Sequence, residues 1–149
     1  MMVVDASVAV KWVLPEPDSG PAVALRGTDA LIAPSLVIAE IGNALWKSVL
    51  RGDVDKSDAS AALQIAAAHF ERFVSIGELA QRALELAVDL QHPIYDCLYL
   101  ALAERERVPI VSATRSSFQP RGEQERSRQS RCVDVGRAAR RKQIHRRSR

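Results

Sequence analysis

Three carboxylates fall inside stretches that otherwise read as protein interior, and any fold of this chain has to account for them. Asp5 ends Met-Met-Val-Val-Asp, Glu40 is enclosed by Leu36, Val37, Ile38, Ala39 and Ile41, and Asp96 opens Asp-Cys-Leu-Tyr-Leu-Ala-Leu-Ala. A carboxylate taken out of water without a partner is strongly penalised. None of the three has a basic residue beside it in sequence. A fold that gathers them relieves their repulsion best with a divalent cation, and an oxygen-rich acidic site suits Mg²⁺ or Mn²⁺. That is the chemistry of metal-assisted phosphodiester hydrolysis.

Each carboxylate also has a plainer reading when taken singly. Asp5 suits the N-cap of a following helix, Asp96 the first turn of one, and Glu40 a solvated helix face. Asn43, three residues beyond Glu40, shares its helical face. The conjunction of the three acids, rather than any one of them, points to a site. The histidines need no role in it: His69 falls in a helical pattern, His92 in a turn before Pro93, and His145 near the end of the chain.

Short β-rich runs alternate with helical patterns. Met2 to Val4 reads as a strand, with Ser7 as a helix cap and an apolar segment to Leu14 closed by Pro15 and Pro17. A short helix is expected over 19–26, with Pro21 in its first turn, then a buried strand from Ala30 to Ala33. Pro34-Ser35 opens a helix to about Arg51 that ends at Gly52. Ala61, Leu63, Ile65, Ala66, Phe70 and Phe73 form a helical stripe across 57–73. Ser75-Ile76-Gly77-Glu78 fits a capping box opening a helix with Leu79, Ala83, Leu86, Ala87 and Leu90 on its core face. After Pro93 a helix is expected from Tyr95 to Arg105, followed by a strand from Pro109 to Ser112. Strands separated by helices favour an open parallel α/β sheet, whose ligands bind beyond the carboxyl ends of the strands.

The 149 residues suffice for one domain with a real core, and 47% apolar residues with 26% charged is a globular composition. The net charge of +3 conceals a division. Residues 1–114 carry 9 Lys and Arg against 15 Asp and Glu, a net −6, whereas residues 115–149 carry 12 against 3, a net +9. The sequence divides accordingly into a domain over 1–118 and an irregular basic tail over 119–149, in which only the segment from Cys132 to Val135 has strand character and the rest reads as disordered. A basic tail can bind nucleic acid by counterion release, although Arg-rich stretches are also ordinary solvated tails. No run is long enough to span a bilayer, and the opening residues are too short for a signal-peptide core, so a cytoplasmic location without membrane contact is expected. Cys97 and Cys132 are isolated and read as reduced thiols.

Val-Val-Asp-Ala-Ser-Val-Ala-Val-Lys-Trp, Ala-Pro-Ser-Leu-Val-Ile-Ala-Glu-Ile-Gly-Asn-Ala-Leu-Trp and His-Pro-Ile-Tyr-Asp-Cys-Leu-Tyr-Leu-Ala-Leu-Ala-Glu resemble the three main motifs of the PIN domain, in order and at similar spacing from residue 2 to about 113. The resemblance is to VapC-type toxins of type II toxin–antitoxin systems. It implies a PIN-like central parallel sheet flanked by helices, Mg²⁺-dependent (or Mn²⁺-dependent) endoribonuclease activity on RNA, a homodimer, and inhibition by a VapB-like antitoxin. It further implies that Asp5 and Asp96 are the principal metal ligands, that Glu40 joins them at the metal and completes the catalytic acidic site, and that Ser7 and Asn43 support it. The family pattern carries a fourth acid after the next strand, where this chain reads Ser112-Ala113-Thr114, so Thr114 brings a neutral oxygen in its place. One choice among the degenerate codons for the residues from Ala113 to Gln119, read one base earlier, encodes Asp-Ala-Lys-Phe-Leu-Ser; a frameshift there would account for both the missing acid and the unusual tail, and a gene sequence incompatible with those codons excludes it.

Two other classes compare less well. A PIN-fold protein impaired in cleavage would still bind antitoxin or RNA. A phosphoaspartate hydrolase or receiver domain also places an acid after its first strand, but the hydrolase's second Asp two residues on is here Ser7.

Overall fold

The computed structural model of the chain describes residues 1–14, 16, 18–27, 30–113 and 132–134. Five short strands form one parallel sheet: β1 Met2–Val4, β2 Leu31–Pro34, β3 Arg72–Val74, β4 Ile110–Ser112 and β5 Cys132–Asp134, in the spatial order β3-β2-β1-β4-β5. Parallel neighbours cannot be joined by tight turns. The connections therefore run through α1 Ala6–Val10 and α2 Gly20–Val23 after β1, α3 Leu36–Arg51 and α4 Lys56–Ala67 after β2, and α5 Ile76–Leu90 and α6 Ile94–Glu106 after β3.

The first strand is the middle of this sheet. Val3 pairs with Ile32 on one side and Ile110 on the other. All three residues of β1 are buried, as are those of β2 and β4, which is why these segments read as unbroken apolar runs instead of alternating ones. The helix α6 packs across β1, β2 and β4 and against α5. Its buried residues, Cys97, Leu98, Tyr99, Ala101, Leu102 and Ala103, lie on more than one face, as expected of a helix enclosed in the core. Trp12 is buried beyond the end of α1, its indole N–H donating to the Ala22 carbonyl at 2.9 Å.

Several local expectations change. Helix α4 stops at Ala67 and Arg72–Val74 is the edge strand β3, so Phe73 belongs to the sheet rather than to a helical stripe, and Ala61 and Ile65 face solvent. The 310-type turn bonds of His69 and Phe70 to Ala66 and Ala67 end the helix without glycine or proline, after which the Glu71 amide joins the Leu31 carbonyl. Ser75 caps α5 through the Gly77 amide, but Glu78 pairs with Arg105 across to α6 instead of closing a capping box. Gly52 ends α3 in the left-handed region at φ 78°, as the sequence predicts, returning its amide to the Ser48 and Val49 carbonyls. Ser7 is inside α1, not its cap; that position is held by Asp5, whose side chain makes no capping bond. Thr114, Pro15, Pro17 and, apart from Cys132–Asp134, the tail lie outside the described residues. Among the described residues no helix is long and apolar enough to cross a membrane.

Candidate metal centre

Asp5 stands where β1 ends. Its amide bonds the Val111 carbonyl, and its own carbonyl accepts from Val8 and Ala9, so backbone bonds fix it between the sheet and α1. Only 8% of the residue is exposed. One carboxylate oxygen, Oδ2, accepts from the Ser7 hydroxyl at 2.7 Å and from the Ser112 hydroxyl at 2.8 Å; Oδ1 is left open among the described residues. The Ser7 hydroxyl is itself held by the Ala113 amide at 3.1 Å. Two hydroxyl donors on one oxygen orient a carboxylate without neutralising it.

Glu40 projects from the second turn of α3, just past β2. It is half-buried, and its Oε2 accepts from the Tyr99 hydroxyl on α6. Burial pushes its carboxyl above the usual range, the Tyr99 bond opposes that, and the charges of Asp5 and Asp96 push it further up. Asp96, in the first turn of α6, also lies above the ordinary carboxylate range: burial is the main cause, His92 works against it, and Asp5 adds to it. His92 Nε2 lies 2.7 Å from Asp96 Oδ2.

The three acids of the sequence motifs therefore feel one another's charge, with Asp5 acting on both of the others. Among the described residues no three His, Cys, Asp or Glu side chains already converge tightly enough to hold an ion. The donor chemistry nevertheless fits a hard divalent cation: carboxylate and hydroxyl oxygens dominate, and the one nearby thiol, Cys97, is pushed up to about 11 by burial and by Asp96, so it stays protonated and is a poor ligand. Repulsion among half-buried carboxylates is the condition a bound cation removes.

Asn43 is not drawn into the cluster; it is exposed and makes no side-chain hydrogen bond among the described residues. Three partners of the acids carry no assignment from the sequence. Tyr99 and Ser112 reach Glu40 and Asp5 across 59 and 107 residues, separations that no local pattern reveals. His92 lies ahead of α6, as its place before Pro93 suggests, and its ring reaches Asp96 four residues on.

Residues 2–116 match the family described as PIN domain. Among solved structures, the crystal structure of PAE2754 from Pyrobaculum aerophilum aligns with a TM-score of 0.65 at 25% sequence identity, over 94% of this chain and 87% of that one. No curated protein matches the chain.

Proposed function

The chain belongs to the PIN domain family, and on that premise we propose that it is a Mg²⁺-dependent endoribonuclease of the VapC toxin type, with Mn²⁺ as an alternative cation. The observation that carries this reading is that Asp5, fixed at the carboxyl end of β1 by the Ser7 and Ser112 hydroxyls, is gathered with Glu40, which Tyr99 ties to the same helix that carries Asp96. A divalent cation bound there supplies Lewis acidity toward the phosphate and acidifies a water molecule. Asp5 and Asp96 each have one oxygen engaged, by Ser7 and Ser112 and by His92, and offer the other for the cation. Glu40, with Oε2 held by Tyr99, would complete the carboxylate set around the cation through Oε1 and take the proton of the attacking water, and its upward shift suits that task. No nucleophilic side chain is needed. A VapB-like antitoxin and a second copy of the chain are the protein partners this reading includes. The exposed Trp46 and Leu50 on α3 support a protein-binding face.

A second reading is favoured by Thr114, which stands where the family pattern has an acid: a PIN protein that binds antitoxin or RNA without cutting. Cleavage of a panel of structured RNAs by the purified full chain in Mg²⁺, compared with Asp5→Asn and Thr114→Asp, separates the two. Cleavage abolished by Asp5→Asn supports the nuclease. A silent native chain that becomes active as Thr114→Asp supports the impaired protein, and cleavage indifferent to Asp5→Asn defeats the proposed site.

A further inference from the structure

Tyr99 is fully buried, yet its hydroxyl is engaged with the acidic cluster and not with a core carbonyl. It donates to Oε2 of Glu40, and the Ala6 backbone and the charge of Asp5 both act on the same hydroxyl. Ala6 immediately follows Asp5, while Asp96 precedes Tyr99 by three residues on α6 and so shares its helical face. One phenol thus stands among the turn that carries Asp5, the helix that carries Glu40 and the helix that carries Asp96. A phenylalanine would fill the same core volume, so packing alone does not explain the hydroxyl.

We propose that Tyr99 is the positioning residue of the acidic site: its hydroxyl fixes Glu40 by Oε2, leaves Oε1 to the site, and ties Glu40 to the helix that carries Asp96. This rests on the metal-centre reading above and adds a residue to it. Without the hydroxyl, Glu40 loses its hydrogen-bond partner while the charges of Asp5 and Asp96 continue to repel it, and the side chain turns away from the cluster. Groups that orient a metal site from behind its ligands typically change metal affinity by about 10–100-fold when removed.

The test is Mn²⁺ binding to the full chain, read by electron paramagnetic resonance of the free ion, for the native protein, Tyr99→Phe, Glu40→Gln and the double variant. Tyr99→Phe is expected to weaken Mn²⁺ binding by about tenfold or more, and the double variant to bind no more weakly than the weaker single variant, because Tyr99 acts through Glu40. Native affinity in Tyr99→Phe, or losses that add in full, overturns the proposal. A second measurement needs no change at Tyr99. The chain has two tyrosines, so ¹³C-tyrosine labelling gives two ring resonances; saturating Mg²⁺ should move that of buried Tyr99 and leave that of exposed Tyr95 in place. A Tyr99 resonance that ignores saturating Mg²⁺ overturns the proposal even where Tyr99→Phe does not fold. A native chain that binds no Mn²⁺ defeats the metal-centre reading itself, whereas native binding undiminished in Tyr99→Phe defeats the positioning role alone.

Discussion

The hydroxyl of Ser112 donates to Oδ2 of Asp5 at 2.8 Å, joining the ends of two adjacent parallel strands through the side chain that the site most depends on. Ser7 reaches the same oxygen from α1 and accepts from the Ala113 amide behind it. The Asp5 carboxylate is therefore aimed by two hydroxyls from opposite ends of the described domain.

Ser112→Ala is expected to weaken Mn²⁺ binding by about tenfold with little change in the far-ultraviolet circular dichroism. Ser7→Ala also removes the acceptor of the half-buried Ala113 amide, at a cost of about 1 kcal/mol. Urea titrations should thus show Ser7→Ala as less stable than the native chain, and an unchanged midpoint would contradict the bonding described for Ser7.

Asp5→Asn and Asp96→Asn should each reduce Mg²⁺-dependent RNA cleavage to background while the fold persists. Each removes one member of a mutually repelling set, so thermal midpoints measured without divalent cations should stay level or rise. A fall of more than about 4 °C, the scale of roughly 1–2 kcal/mol in a chain this size, would mean that the carboxylates stabilise the fold instead of straining it.

Stability should depend on pH in the direction opposite to that of a salt-bridged acid. Burial, with the charge of Asp5 added, raises the carboxyls of Glu40 and Asp96 above their ordinary values of 4.5 and 3.8. Between the ordinary and the raised values the folded chain holds more protons than the unfolded one, so their contribution is complete below the ordinary values and is lost as the pH rises through the raised ones. In EDTA, the native chain should therefore lose stability relative to Glu40→Gln as the pH rises toward neutrality. Mg²⁺ should restore most of that loss near neutral pH and do little in acid; a Mg²⁺ effect of the same size at every pH would contradict the coupling.

The two tryptophans offer a check on the core. Trp12 is 6% exposed and bonded to Ala22, whereas Trp46 is 56% exposed. Trp12→Ala should cost about 3–5 kcal/mol, and Trp46→Ala less than about 0.5 kcal/mol in the monomer. Denaturant unfolding of the two variants decides it, and comparable losses would misplace one of them.

What is legible in the sequence follows from where the penalties lie. A carboxylate in an apolar run is conspicuous because its burial is costly, so Asp5, Glu40 and Asp96 stand out from their neighbours in the chain. Tyr99 does not, because an aromatic residue in an apolar helix reads as core filler and its partner lies 59 residues away. The edge strand Arg72–Val74 is hidden in a similar way: Phe70 and Phe73 continue the spacing of Ala66, and α4 ends with neither glycine nor proline to mark it. The strands β1, β2 and β4 are readable to within a residue because both of their faces are buried, so each stands out as an apolar run too short for a helix.

The central position of β1 has a consequence in time. During synthesis β1 must wait for β4 to pair its second edge, and Asp5 must wait for Ser112, 107 residues later. At about 5–20 residues per second that is an interval of several seconds to about twenty. Through that interval the nascent chain carries Asp5 without the strand and the hydroxyl that aim its carboxylate. Ribosome-bound chains arrested before Ile110 should accordingly show no specific Mn²⁺ binding, and binding by such chains would place the assembly of the site earlier than the sheet allows.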